Sequence, residues 1–538
     1  MGDPGAARRL DSRDALCALA LLLFLGAYVH FQIDLTGRPE EDAAMLLRYS
    51  QHLAQGYGVV WNVGEKPVDG ATDFLFMVAV AALHRAGLPL ERAAQALGLT
   101  AHALTVIGVF LSIRSLFGGG RALALIPAVF LAVGPGLRHL AACYGTPLFA
   151  LTALTAWYSA HRLLAAEPDE LPGPSLLFAL ASLVMGLARP EGVFLAVFML
   201  AAILYGRRAS GATTILTPFL AVFLTLGLAY FLWRWSYFGH PLPNPFYKKG
   251  AGLLHWYSLR QSFKNLAALG PPFLLVLGLG LFVRGLRRWA LFALLPAVAF
   301  TALWILISDE TNYVMRFRYP ILPVLLVSWV PVGQGLLERV GGTRVVARHG
   351  ALVWPAALAV AIGLALYQHE AYRYVAPRRM GLYDAALVLR EYRRRNYALA
   401  TTEAGLLPLY STWRALDAWG LNAPIVARGG LSPEYLDRYR PEVILFHAYF
   451  SPAVPADGER VENRSLGPRW YQMVMTLKSY AEHNGYVLAA CFGRNAYDTH
   501  YYYVRPGFPE SAEIAARLRG LDYYWDGEPT VDFTDSQP

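Results

Sequence analysis

The chain has 538 residues, 56% of them hydrophobic and 16% charged, with a formal net charge of +9 and a mean hydropathy of +0.35. This composition is too apolar for a soluble protein of its length. The basic excess does not call for nucleic acid, because much of the arginine falls in short loops between apolar runs. The three cysteines, Cys17, Cys143 and Cys491, lie too far apart to suggest a disulfide or metal framework.

In chain order, Arg8, Arg9 and Arg13 precede an apolar run at 15–29 with no small-residue cleavage site after it, so the run reads as a retained anchor. The loop at 41–73, EDAAMLLRYSQHLAQGYGVVWNVGEKPVDGATD, follows. Ala43, Leu46, Leu47, Ser50, Leu53 and Ala54 share one helical face, Arg48, Gln51 and Gln55 point elsewhere, and Gly56 and Gly58 end the pattern. The spacing predicts a short amphipathic helix lying flat on a membrane surface. Glu41 and Asp42 fall in its first turn, where unpaired N–H groups favour a carboxylate. An acidic pair at that boundary could meet a lipid-borne substrate; a capped interfacial helix with solvated acids has the same spacing.

At about 20 residues per crossing, hydropathy predicts about eleven spans. They fall at 14–32, 72–88, 93–113, 140–161, 174–188, 190–206, 213–233, 270–286, 289–307, 319–336 and 350–367. Basic loops at Arg207/Arg208, Arg284/Arg287/Arg288 and Arg339/Arg344/Arg348 are expected on the cytoplasmic side. That puts 41–73, 189–192, 237–268, 308–318 and everything after 368 outside. Parity closes if 122–136, which runs into Gly134-Pro135-Gly136, is re-entrant or broken. Beyond 368 no span is found. Short strands at 398–401 and 442–446 alternate there with helical stretches at 381–395 and 511–519. The expected fold is a mostly α-helical polytopic membrane protein: a membrane module over 1–367 and an extracytoplasmic α/β domain over 368–538.

Four outward clusters could carry chemistry: Glu41/Asp42 with Arg48; Arg189-Pro190-Glu191-Gly192; the run 235–249, made rigid and extended by prolines and ending in Lys248 and Lys249; and Asp309-Glu310 with Arg316 and Arg318. Each has an ordinary alternative: solvated acids, an ion pair stapling two helices, an aromatic belt with snorkelling lysines, or arginines reading headgroups. Together, cations for a phosphate and a carboxylate on one side suit phosphoryl-linked group transfer. A polyprenyl phosphate departs as an anion, so it needs cations rather than a protonating acid. One carboxylate then suffices to take the proton from an acceptor hydroxyl, whereas a hydrolase typically needs two. A divalent metal is possible but unsupported, since no cluster offers several carboxylates at ligand spacing, and no cofactor is certain.

The stretches DAAMLLRYSQHLAQGYGVVWNVGEKPVDGATDFL, LARPEGVFLA, YFGHPLPNPFYKKG, RYPILP and TTEAGLLPLYSTWRALDAWGLN occur in this order. They resemble membrane glycosyltransferases of the GT-C fold, nearest the bacterial group containing mycobacterial terminal arabinofuranosyltransferases. The resemblance implies inverting transfer from a polyprenyl-phosphate sugar to an extracytoplasmic cell-envelope glycan, lipid or protein, in a bacterial cytoplasmic membrane. The family's acidic pair matches Glu41 and Asp42, its Arg-Tyr matches Arg48-Tyr49, its Arg-Pro-Glu matches Arg189–Glu191, and its closing lysine matches Lys249. Asp42 is the expected base, ahead of Glu41. Arg48, Arg189, Glu191, Asn244, Tyr247, Lys249, Asp309, Arg316, Arg318 and Glu403 are the expected substrate contacts. Trp413, Trp419 and Tyr410 could stack on sugar rings.

The sequence departs from the family pattern in three places. The pair is Glu-Asp rather than Asp-Asp. The Gly-hydrophobic-Glu-Thr motif reads Cys143-Tyr144-Gly145-Thr146, without its glutamate. Gly70-Ala71-Thr72 stands where Gly-Tyr-Thr is usual. A non-catalytic relative that binds lipid-linked glycan is the alternative. A secondary transporter is disfavoured, since neither mid-bilayer polar residues nor duplicated halves are evident.

Overall fold

A computed structural model describes residues 10–536 apart from 119, 251, 309–311, 374, 449–466 and 496. Among the described residues seven helices are long and apolar enough to cross a membrane: Ser12–Gln32, Leu90–Phe117, Arg121–Ala141, Ala212–Phe238, Arg287–Ile305, Ile321–Arg339 and Arg348–Glu370. The pair Trp256–Leu269 and Pro271–Gly280, bent by 98°, makes an eighth if it is one span. Three of the expected spans are shorter apolar helices instead, Phe74–Arg85, Pro172–Ala188 and Glu191–Gly206. By length and apolar composition together the described helices thus support seven or eight spans; Thr146–Ala165, where a span is expected at 140–161, is 20 residues long but is not among them.

The segment expected to be re-entrant, 122–136, is different. Arg121–Ala132 continues through Val133–Pro135 into Gly136–Ala141, giving a 21-residue, largely buried element long enough to cross. Gly136 serves close packing here, for a Cβ would overlap the Tyr319 hydroxyl and lie 2.7 Å from His102. The parity that assigned the outer loops therefore no longer closes by that route.

The helix predicted in the first loop forms as Glu41–Ala54, with Gly56 and Gly58 at positive φ after it. Its polar side is covered by protein rather than left to solvent. Arg48, Tyr49, Ser50 and His52 are as buried as Ala43 and Leu47. One face meets the helix Phe74–Arg85, and the other meets the short helix Leu406–Ser411. The extended run expected at 235–249 also folds otherwise. It finishes the helix ending at Phe238, turns, and forms Asn244–Gly250, with Pro245 in the first turn, where a missing N–H costs nothing.

The C-terminal region carries strands β1 (Ala398–Thr401), β2 (Arg414–Asp417), β3 (Val443–Ala448), β4 (Val487–Asn495), β5 (Asp498–Val504), β6 (Tyr524–Trp525), β7 (Glu528–Pro529) and β8 (Val531–Asp532). The main sheet has the order β2-β1-β3-β5-β4-β8, with β2, β1 and β3 parallel and the rest antiparallel. Every residue of β1 and β3 is buried, as expected for strands covered on both faces. Edge strand β2 is closed by the first loop. Asn62 accepts from Ala415 N–H at 3.0 Å and donates to Ala415 C=O at 3.0 Å, and Trp61 Nε1 donates to the same carbonyl at 2.8 Å. A side-chain amide thus does the work of a neighbouring strand.

Candidate active site

The start of the helix Glu41–Ala54 is held from both sides. Glu40 caps it, accepting from Asp42 N–H at 2.8 Å and from the Tyr144 hydroxyl. Burial, and then the Asp42 charge, push the Glu40 carboxyl up to about 7. Glu41 turns the other way and accepts from Gly405 N–H at 2.6 Å and Leu406 N–H at 3.1 Å, capping the helix Leu406–Ser411. Burial and the nearby Glu403 charge hold its carboxyl well above the ordinary range. Asp42 pairs with Arg316.

Two cavities meet at this point. Asp42, Met45 and Leu421 line both. The larger, about 420 Å³, has mostly apolar walls, including Leu46, Phe194, Phe246, Leu303 and Trp304. Its charged groups among the described residues are Asp42, Asp73 and Glu191 with Arg189, Lys249 and Arg316. Arg189 donates to Asp73 at 2.6 Å and Glu191 at 2.9 Å, while Arg316 lies over the Tyr144 ring at 4.5 Å and the Phe317 ring at 4.9 Å. Arg316 Nε and Glu191 Oε2 are buried without a partner among the described residues. An apolar trough ending in cations suits a lipid phosphate.

The smaller cavity, about 230 Å³, lies at the carboxyl ends of the parallel strands, where open α/β sheets bind ligands. Glu403 follows β1, Asp417 ends β2, and His447 lies near the end of β3; Trp419, Trp470, Trp525 and Arg494 complete much of its wall. The mixture of aromatic faces and polar groups suits a sugar-bearing molecule.

Of the expected contacts, Arg189, Glu191, Lys249 and Arg316 share the larger cavity with Asp42, and Glu41 and Glu403 share the smaller one with it. Four others line neither cavity, and the structure corrects their expected role. Arg48 is a buried staple that donates to the carbonyls of Trp61 (2.9 Å), Trp413 (2.9 Å) and Pro408 and to Asn62 Oδ1 (3.0 Å). Asn244 donates to the carbonyls of Gly420 (2.7 Å) and Leu421 (2.9 Å). Tyr247 packs under Arg428. Arg318 is buried against Trp304 at 3.9 Å and donates to Ser262. Asp309 lies outside the described residues. Trp413 is buried in the core and Tyr410, partly buried, packs against it and donates to Glu91, whereas Trp419 lines the smaller cavity.

The sequence alone does not single out Glu40, Asp73, Tyr144, His447 or His500. Asp73 carries a signal all the same. A Cβ on Gly145 would meet Asp73 Oδ2 at 2.7 Å, so the place next to the absent family glutamate already holds a carboxylate.

A family model described as a domain of unknown function (DUF8728) matches residues 365–504. No curated protein sequence matches the chain. Among solved structures, ArnT from Cupriavidus metallidurans bound to undecaprenyl phosphate aligns with a TM-score of 0.55 and 13% identity, covering 95% of this chain and 98% of that one. The archaeal oligosaccharyltransferase AglB from Archaeoglobus fulgidus, in complex with an inhibitory peptide and a dolichol-phosphate, aligns with a TM-score of 0.51 and 12% identity, covering 93% and 75%. A mycobacterial arabinofuranosyltransferase, AftD, reaches 0.47 at 17% identity, covering 94% and 41%, too distant a likeness to carry an argument. The fold thus resembles that of GT-C glycosyltransferases.

Proposed function

We propose that the chain is a multi-pass membrane glycosyltransferase that moves a sugar from a polyprenyl-phosphate donor to a hydroxyl acceptor, with Asp42 as base. The observation that carries the reading is the meeting, at one carboxylate, of a mostly apolar cavity that ends in cations and a cavity walled by aromatic and polar side chains. The donor's isoprenoid tail lies in the apolar cavity, and its phosphate meets Arg189, Lys249 and Arg316. The acceptor enters from the sheet side, where Trp419 and Glu403 contact it, and the chain divides into a membrane module over 1–367 and an extracytoplasmic domain over 368–538.

In the transfer, the acceptor oxygen bonds to the anomeric carbon as the bond from that carbon to the phosphate oxygen breaks. The proton passes to Asp42 and polyprenyl phosphate leaves as an anion, with inversion. Asp42 is paired with Arg316 in the resting protein, so the carboxylate is engaged before the donor arrives. A donor phosphate competes for Arg316, so donor binding releases the base. Glu41, tied to two backbone N–H groups, positions the loop and takes no proton from the acceptor.

The test is turnover of a radiolabelled polyprenyl-phosphate pentose or hexose by the detergent-purified chain beside Asp42→Asn. Transfer by wild type that the variant loses supports the reading. Tight donor binding with no transfer by wild type, over a panel of acceptors, would favour the lipid-linked-glycan binding protein.

A further inference from the structure

We infer that Glu403, His447 and His500 form a binding site for a zinc-like divalent transition-metal ion, with a coordination position left open to the smaller cavity. Strand register makes the site. His447 on β3 and His500 on β5 are direct cross-strand partners, so their side chains stand side by side on one face of the sheet; their rings lie 4.9 Å apart. Glu403, just past the end of β1 next to β3, brings a carboxylate to the same place, with its Oε1 3.4 Å from His447 Nδ1. One potential ligand atom from each residue lies within 4.8 Å of the others. Zinc bonds of roughly 2.0–2.2 Å would draw these atoms to about 3.3 Å apart, a rotamer-scale adjustment.

The outer nitrogen of each histidine is already engaged. His447 Nε2 is 2.7 Å from Asp498 Oδ1, and His500 Nδ1 is 2.8 Å from the Tyr523 hydroxyl. Carboxylate and hydroxyl partners of this kind fix the tautomer and orientation of metal-ligating histidines. The Asp498 contact directs the lone pair of His447 to Nδ1, beside Glu403. His500 stacks on Trp525, with centroids 3.9 Å apart and planes 7° apart. It is 3% exposed, and its Nε2 has no partner among the described residues. A purely structural cluster would be expected to satisfy so deeply buried a nitrogen.

Without a metal, a proton on His447 can bridge Asp498 and Glu403, but this leaves His500 Nε2 unsatisfied. A cation held by His447 Nδ1, His500 Nε2 and Glu403 uses all three groups. Two imidazoles and one carboxylate are a zinc ligand set, and three protein ligands leave the fourth position for an exogenous oxygen donor. All three residues line the smaller cavity, as does Asp42, so that donor would be a hydroxyl or carboxylate of whatever occupies it. The metal site itself does not depend on the glycosyltransferase reading.

The full-length protein, purified in detergent and stripped with a chelator, is reloaded with Zn2+ and its zinc counted per chain by mass spectrometry. About one ion per chain is expected, with affinity at least about tenfold weaker in His500→Ala and Glu403→Gln and about 10–100-fold weaker in Asp498→Asn. Glu403→Gln preserves shape, so an unchanged melting temperature separates lost ligation from misfolding. Co2+ loaded in place of zinc should give a four-coordinate visible spectrum that shifts when acetate is added. A folded wild type that retains no zinc, or variants that hold zinc as tightly as wild type, would overturn the site; a cobalt spectrum indifferent to acetate would overturn the open position.

Discussion

Replacing Asp42 by asparagine should move rate and donor affinity in opposite directions. Among the described residues the wall of the larger cavity has three carboxylates (Asp42, Asp73, Glu191) and three cations (Arg189, Lys249, Arg316), whose formal charges sum to zero. The amide in Asp42→Asn keeps an oxygen for Arg316 but removes one negative charge, which leaves +1 facing an anionic phosphate. At an effective dielectric near 20 and roughly 8–12 Å, one unit charge is worth about 1–2 kcal/mol. Donor Kd should therefore fall by about 5–30-fold. Removing the base should lower kcat by about 10²–10⁴-fold. Arg316 keeps its stacking on the Tyr144 and Phe317 rings, so the fold should survive with a melting point only a few degrees lower. Donor Kd comes from titration with a non-transferable phosphodiester analogue, and kcat from the labelled-sugar assay, on the same preparations. Unchanged kcat would remove Asp42 from the chemistry. An unchanged kcat with a weaker Kd would make Asp42 a donor-binding residue and refute the charge reasoning.

Glu40 sets a pH dependence of stability. Its folded-state pKa of about 7 exceeds the ordinary 4.5, so between these values the folded state holds a proton that the unfolded chain has lost. Its contribution is full below about pH 4.5 and is lost as pH rises through 7, with an upper bound of about 3 kcal/mol; Glu40→Gln should flatten that slope in melting curves. Gly145→Ala should cost about 1–3 kcal/mol through Asp73 and Phe76, and it should weaken donor binding by disturbing the Asp73–Arg189 pair, read by melting and by analogue titration. Arg48→Ala leaves buried carbonyls unpaired and should cost about 3–5 kcal/mol, seen as a large drop in melting temperature or as failure to accumulate.

Local pattern was enough for the helix at Glu41–Ala54, for β1 at Ala398–Thr401 and for the helix Ser511–Arg519, because each is marked by its own periodicity and stop residues. It also brought Asp42, Arg189, Glu191, Lys249 and Arg316 onto one list, and the structure gathers these five around one cavity. It failed where a role depends on what packs from elsewhere in the chain. Arg48 stood among the expected substrate contacts because the partners that make it a staple, Pro408 and Trp413, are 360 and 365 residues away. His447 and His500 carry no motif, since only the β3–β5 register makes them neighbours. The segment 122–136 looked interrupted because glycine and proline usually end helices in water, whereas inside a helical bundle a glycine can serve contact instead.

The same long-range contacts explain why Glu41 and Asp42, adjacent in sequence, have different uses. The helix Glu41–Ala54 places its first two side chains about 100° apart. That sends Glu41 to the amides of Gly405 and Leu406 on the sheet side, and Asp42 to Arg316 on the helical side. Gly405 has to be glycine for this approach, since a Cβ there would overlap the Glu41 carbonyl oxygen. Asn62 and Trp61 then fasten the far end of the loop to β2. The carboxylate proposed as base is thus positioned by the C-terminal sheet, while the cation that holds it comes from the helical region. The sheet is part of the scaffold of the site, so removing it would take away the support of Asp42 along with any surface for an acceptor. Only substitutions inside the smaller cavity, such as Trp419→Ala, can separate acceptor recognition from the placement of the base.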